Sequence, residues 1–269
     1  MSANIFRHEF RMRLRSALIW SLAAAALLLV FMSFFVMFAD QAALMNEVMA
    51  KFPPELRAAF SMDNRDLSTV LGFYSFVFLF VQLCLAIQAG NYGFGLVSIE
   101  ETELTADFLL SKPVSRAQVL TSKFLAALAS LVLTNAIVWA SSFAAIALFR
   151  GERGYEARTL VVLLLSLLIF QFFFLSVGLV ISLLVKRVRS VTPWGLALGF
   201  GSYVLSAFSG VLGDVKLELL TPFKHLDAAY IVHHGALDAP LVLLNVAVAL
   251  VSLAVSYGLY LRRDIPAVA

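Results

Sequence analysis

TLVVLLLSLLIFQFFFLSVGLVISLLV, residues 159–185, contains no Asp, Glu, Lys or Arg. A helix of about 20 apolar residues, rising about 1.5 Å per residue, crosses the hydrocarbon core of a bilayer, and this run exceeds that length. It stops on Lys186-Arg187-Val188-Arg189, a basic cluster of the kind retained on the cytoplasmic side. To either side, five more runs meet the same criterion, near 17–39, 67–90, 124–149, 193–213 and 239–261. Across its 269 residues the chain is 61% apolar and 14% charged, with a mean hydropathy of +0.92. An average soluble domain carries roughly 25% charged residues. So few charges cannot cover so much apolar surface in water, which excludes a soluble globule. The sequence predicts an all-α integral membrane protein with six transmembrane helices, one domain over 1–269 without internal repeat or linker.

The distribution of charge orients these spans. The segments before residue 17, 91–123, 186–192 and after 261 hold twelve of the 20 Lys and Arg but only six of the 17 Asp and Glu. Lys and Arg collect on the cytoplasmic side, so both termini are predicted to lie inside. The first run follows Arg7, Arg11, Arg13 and Arg15 and so resembles a secretory leader, but it outlasts the roughly 7–15 apolar residues of one and no small-residue cleavage site follows. It is read as a retained anchor. The outer segments 40–66 and 214–238 have room for short re-entrant or interfacial helices, with Pro53-Pro54 and Thr221-Pro222 as helix starts. A net charge of +3 is modest and its placement follows the membrane sides, so nucleic acid is not an expected partner.

Several function classes fail on missing residues. None of the six runs contains Asp, Glu, His, Lys or Arg, the groups on which an ion-coupled carrier depends. Their polar residues are uncharged; Gln82, Gln88, Asn135, Gln171 and Asn245 are expected to hydrogen-bond across helix contacts, with lining a pathway as the alternative. Gly195 and Gly199 make a small-xxx-small pair that fits packing within the chain or pairing between chains. All four histidines, His8, His225, His233 and His234, lie outside the runs, which removes the Ser/His pair of an intramembrane protease. His233 and His234 are adjacent and point different ways on a helix, so the outer histidines with Asp227 and Asp238 are read as ordinary loop residues and no metal site is predicted. Cys84 is the single cysteine, and no intrachain disulfide is possible. No Gly-Lys-Ser/Thr phosphate loop occurs, and no extramembrane segment can hold an ATPase domain. The chain is therefore expected to have no catalytic residue and no cofactor; an ATP-driven motor must be another chain.

Residues 98–123, SIEETELTADFLLSKPVSRAQVLTSK, carry the most information. Glu100, Glu101, Glu103 and Asp107 form an acidic cluster, and Leu104 and Phe108 stand at i,i+4, which suits a short amphipathic helix. Lys112-Pro113 stops it. Ser115 and Gln118 then make a capping box, with Val114 placed to staple Val119, so a new helix begins at Ser115 and runs through Lys123 into the third span. Helix, proline turn and capped helix form an elbow suited to force transfer from a partner at the membrane face. From Asn4 to Ser16, Phe6, Phe10 and Leu14 form one i,i+4 stripe and Arg7, Arg11 and Arg15 another about 100° around the helix. The pattern predicts an N-terminal interfacial helix over 1–16 with its arginines at anionic lipid headgroups.

This order of acidic residues, Thr-Ala-Asp-Phe-Leu-Leu-Ser-Lys-Pro-Val-Ser-Arg and a Lys entering the next span resembles the signature loop of exporter-type ABC transporter permeases of the second type. The basic N-terminal segment, the Lys/Arg-rich turn after the fourth span and Thr221-Pro222-Phe223-Lys224-His225 fall in familiar order too, so the resemblance covers nearly the whole chain. One departure is Glu103-Leu104 before Thr105, where many members carry a Gly. The resemblance implies a permease subunit, an exporter, in the plasma membrane of a prokaryote. It would pair with a second permease chain as homodimer or heterodimer and work with a separate cytoplasmic ATP-binding cassette ATPase, on which ATP and Mg would bind. It further implies a cytoplasmic coupling helix between the second and third spans, with Glu100, Glu101, Glu103, Thr105, Asp107, Phe108, Pro113, Arg116 and Lys123 engaging that ATPase. A non-transporting membrane scaffold or assembly protein is the alternative, against which the elbow speaks; an ion-coupled carrier is a more distant one.

Overall fold

The computed structural model describes residues 1–53, 57, 65–102, 114–185, 188–212 and 216–262. In chain order the described elements are α1 (Ala3–Ser33), α2 (Phe35–Asp40), α3 (Ala42–Ala50), α4 (Val70–Thr102), α5 (Arg116–Phe149), α6 (Ala157–Leu184), α7 (Val191–Leu212), a 3-10 turn (Lys216–Leu220), α8 (Pro222–His225), α9 (Ala228–His234) and α10 (Ala239–Arg262). Six helices are long and apolar enough to cross a membrane: α1 with α2, then α4, α5, α6, α7 and α10. They coincide with the six runs of the sequence, and the fold is all-α among the described residues.

Two boundaries depart from expectation. The N-terminal amphipathic segment is helical but is not set off from the first span, because no Gly or Pro interrupts 3–33; the break falls at Phe34, and α2 completes the span to Asp40. At the other extreme, α4 continues twelve residues past the apolar run, through Thr102.

The long helices are not equal partners. Within their most apolar windows α4 is 67% and α6 61% buried, whereas α7 and α10 are 11% and 17% buried. α4 and α6 pack along each other at the centre; α7 lies on α4, α10 on α6, and α1 along α5. Glycine permits the closest of these approaches. A Cβ on Gly93 of α4 would stand 2.4 Å from the Leu175 carbonyl oxygen of α6, and one on Gly195 of α7 would stand 2.1 Å from Asn91 Oδ1 of α4. The Gly195/Gly199 pair therefore faces α4 of its own chain, with Gly199 against Ile87.

The segment between α7 and α10 turns back into the bundle. Pro222 sits in the first turn of α8, and Phe223 is buried with its ring 5.0 Å from Phe170, 6.2 Å from Phe174 and 5.8 Å from Tyr203. Phe223 thereby packs between α6 and α7 from the end of the bundle opposite the start of α1. Thr221-Pro222 thus starts a short helix, as the sequence signals. Protein groups satisfy the backbone around it. Gln82 Nε2 of α4 donates to the Leu226 carbonyl at 3.0 Å, and Thr221 Oγ1 donates to the Ser202 carbonyl at 2.8 Å.

Gly195→Ala is expected to destabilise the protein by about 1–3 kcal/mol, as overpacking does, because Asn91 must move. Gly201→Ala meets nothing within 4 Å and is expected to be neutral or slightly stabilising. Thermal unfolding of the two variants in one detergent compares them directly.

Candidate functional site at the base of the bundle and its polar core

The end of the bundle that carries the start of α1, the end of α4 and the start of α5 is called the base here. Its first element is the predicted cap. Ser115 is extended (φ −73°, ψ 150°), its side chain accepts from Gln118 N–H at 3.2 Å, and its own N–H donates to Gln118 Oε1 at 3.1 Å. Both halves of the capping box are thus made, with Val119 buried and Val114 half-buried beside it. α5 starts at Arg116, which is half-buried. Among the other expected coupling residues, Glu100 and Glu101 lie in the last turn of α4; Glu103, Thr105, Asp107, Phe108 and Pro113 lie outside the described residues.

Lys123 sits two turns into α5 and is 3% exposed. Its Nζ donates to the Leu96 carbonyl of α4 at 2.7 Å and stands 3.7 Å from Glu9 Oε1 of α1. Glu9 Oε2 pairs with Arg13 Nη1 at 2.5 Å. Beside this cluster the two N-terminal stripes differ in exposure. Phe6, Phe10 and Leu14 are half-buried, with the Phe6 and Phe10 rings stacked at 6.1 Å, while Arg7, Arg11 and Arg15 are exposed.

Above the base a set of buried, uncharged side chains bridges helices. Asn135 of α5 donates to Gln171 Oε1 of α6; Gln171 Nε2 donates to Gln88 Oε1 of α4 at 3.2 Å. Gln88 Nε2 donates to Thr134 Oγ1 at 2.9 Å and Tyr92 OH at 3.3 Å, and Tyr92 OH donates to Ser16 Oγ of α1 at 3.3 Å. Every donor points the same way along this chain, an arrangement in which hydrogen bonds polarise one another. All five amides singled out in the sequence bond across a helix contact, as expected of them.

The opposite end carries a second charged layer. Arg65 is buried with Nη2 3.9 Å from Asp227 Oδ1, and Lys224 Nζ is 4.0 Å from the other carboxylate oxygen. Asp227 also caps α9, accepting from Ala229 N–H at 2.8 Å. Burial holds the Arg65 guanidinium below its ordinary range, and the Asp227 carboxylate opposes that shift. His225, expected to be an ordinary loop residue, is 2% exposed because the re-entrant turn carries it inside. A carbonyl only accepts, so the contact of Nε2 with Leu219 O at 3.2 Å places a proton on Nε2; Nδ1 then accepts from Asn245 Nδ2 at 3.4 Å. Burial pushes this imidazole below its ordinary 6.5, with hydrogen bonds to the backbone of Leu219 and Glu218 acting the other way. A cavity of about 200 Å³ adjoins these groups, lined in part by Glu218, Lys224, Asp227 and Asp238. That is smaller than the roughly 300–1,000 Å³ of a small-molecule site.

These features define a multi-pass helical membrane protein whose interior is packed and hydrogen-bonded and whose ionisable clusters lie toward its two ends. The sequence profile of the family described as "ABC-2 family transporter protein" matches residues 3–265, and the chain belongs to that family. It is accordingly a membrane permease subunit of an ABC transporter, not itself catalytic, of a family whose members generally work with a cytoplasmic ATPase. No curated protein matches the chain.

Sequence reasoning assigned no role to Glu9, Leu96, Ser122 or Arg65. For Glu9 a signal existed, since Glu9 and Arg13 are i,i+4 on the N-terminal helix and Glu9 is the only acid there. Leu96 acts through its carbonyl, which no side-chain pattern marks.

Burial favours the neutral imidazole of His225 in the fold, which gives a pH dependence of definite sign. The unfolded chain binds this proton more readily than the folded one, so stability rises with pH across the window below the ordinary value of 6.5 and is lost as pH falls through it. The melting temperature is expected to drop between about pH 7 and about pH 5, and His225→Gln should remove that component while lowering stability at neutral pH. Melting curves of both proteins across that range, in one detergent, provide the check.

Proposed function

We propose that this chain is the permease of an ATP-driven exporter in a prokaryotic plasma membrane, with its base toward the cytoplasm and the loop between α4 and α5 seated on a separate ATP-binding cassette ATPase. Two permease chains, identical or different, enclose the route. ATP and Mg bind on the ATPase; closing of the ATPases displaces the elbow around Thr105 to Arg116, and the spans open between the chains. Glu100, Glu101, Glu103, Asp107 and Arg116 supply the polar contacts of the coupling surface, Thr105, Phe108 and Pro113 its shape, and Lys123 its support from within. Arg7, Arg11 and Arg15 meet anionic headgroups of the inner leaflet while Phe6, Phe10 and Leu14 face the bundle or acyl chains.

The observation that carries this reading is the capped start of α5: Ser115 and Gln118 fix the helix that follows the loop, so a push on the loop is delivered into a span rather than absorbed in a frayed end. Pairing of chains is supported by α7, which α4 covers on one side and which leaves Trp194, Leu196, Phe200 and Phe208 exposed. A route between chains is favoured because Gln82, Gln88, Asn135, Gln171 and Asn245 all bond across helix contacts within the chain.

The first experiment is affinity purification of the tagged chain from its host in mild detergent, followed by identification and ATPase assay of what co-purifies. A stoichiometric cassette ATPase is expected. Glu101→Ala and Arg116→Ala should leave insertion intact and weaken ATPase binding, and Pro113→Ala should loosen the turn and lower transport with smaller effect on binding. Full binding and transport in all three variants would remove the coupling role from this loop, and recovery of the chain alone in several detergents would favour a non-transporting scaffold.

A further inference from the structure

A buried ammonium joins three helices at the base. Lys123 of α5 donates to the Leu96 carbonyl of α4 and faces the Glu9 carboxylate of α1, with the lysine side chain 4% and the glutamate 15% exposed. One residue earlier, Ser122 Oγ accepts from the Ser2 N–H at 2.7 Å, so the first turn of α1 is tied to the same stretch of α5. Arg13 holds the other carboxylate oxygen of Glu9. Leu96 lies about 9 Å before the end of α4 at Thr102, and Lys123 about 10 Å after the start of α5 at Arg116, at 1.5 Å per residue. The contact therefore sits close behind the two helix ends that flank residues 103–113.

A charge this deeply buried is tolerated while its partners stay in place and is costly once one is withdrawn. Sliding α5 along α4, or lifting α1 away, separates the ammonium from Leu96 O or from Glu9. We infer that Lys123 is a positioning residue that makes the N-terminal helix, the end of α4 and the start of α5 one mechanical body, so that displacement of the loop moves α1 together with the two spans it connects. The geometry stands on its own; the consequence for transport rests on the coupling reading proposed above. It gives Lys123 a place behind the ATPase contact rather than within it, and it brings α1 into the moving part although no loop residue belongs to α1.

Backbone amide exchange of the full-length chain in detergent tests the joint without any ATPase. Lys123→Gln should accelerate exchange about tenfold over residues 6–16 and 116–123. Glu9→Gln, on a different helix, should accelerate exchange over 116–123, which a role confined to α1 does not do. The double variant should exceed the stronger single by little, as expected for two members of one interaction. Independent, additive effects, or no change across the helix boundary in Glu9→Gln, overturn the inference; the glutamate variant keeps it testable if Lys123→Gln fails to fold. In the complex with the co-purifying ATPase, Lys123→Gln should retain ATPase binding but lose at least about fivefold in transport-linked stimulation, and Lys123→Arg should recover part of it. Full stimulation in Lys123→Gln overturns the positioning role. Absence of any ATPase counts against the coupling reading alone, since the exchange measurement decides the joint on the permease by itself.

Discussion

Where the surrounding lipid is as apolar as the side chains, burying Leu against Leu does not decide which helix lies beside which. Close backbone approach and polar pairing decide it, and α4 supplies both. Its glycines let α6 and α7 come within backbone contact, and its polar side chains bond to α1, α5, α6 and the segment after α8. Tyr74 OH donates to Ser142 of α5 at 2.7 Å, Gln82 holds the re-entrant backbone, Gln88 joins α5 and α6, and Tyr92 reaches α1. Interhelical hydrogen bonds in membranes average roughly 0.6 kcal/mol and reach about 1.7 kcal/mol. The individual gain is small, but the alternative arrangement leaves several amides without partners in hydrocarbon, at a cost several times larger.

Polar groups are graded by depth. Charged pairs lie toward the ends: Glu9, Arg13 and Lys123 at the base, Arg65, Lys224 and Asp227 at the other end, and Arg153 with Asp40 at 2.5 Å beyond it. Between them stand amides and hydroxyls. The gradient follows from the price of desolvation, which is several-fold higher for an ion than for an amide. The layer between the charged pairs is built on the amides Gln88, Asn135 and Gln171.

The long elements were legible because each rests on a strong one-dimensional signal. Runs such as 159–185 and 239–261 correspond to helices Ala157–Leu184 and Ala239–Arg262 almost to the residue, since their ends coincide with charged or helix-breaking residues. The Ser115–Gln118 box was equally visible, as its partners are three residues apart. Less legible was whatever depends on contacts distant in sequence. Gly195 and Gly199 could be read as self-packing or as a dimer face until Asn91 and Ile87 were seen against them. His225 looked like a loop residue because its burial depends on Phe223 finding Phe170, some fifty residues earlier in the chain. The joint at Lys123 combines a helix carbonyl 27 positions away with a glutamate on the N-terminal helix, and neither distance leaves a periodic trace. The legible part of the candidate site was therefore its local cap, and the hidden part was what holds that cap to the rest of the molecule.

The packing also constrains where cargo can pass. A route through one chain has to displace the Gln88–Gln171–Asn135 bridge or separate α4 from α6, the two most buried helices, whose backbones meet at Gly93 and Leu175. At the far end it meets α8 and α9, anchored by Phe223 between Phe170 and Tyr203 and by the Gln82 bond to Leu226. Passage along the outside of α7 or α10 breaks none of these, since Trp194, Phe200, Leu243 and Val251 already face outward. An apolar face of this kind borders a route only when something other than lipid stands opposite it. In the proposed assembly a second permease chain would provide that wall, leaving the packed interior of each chain intact.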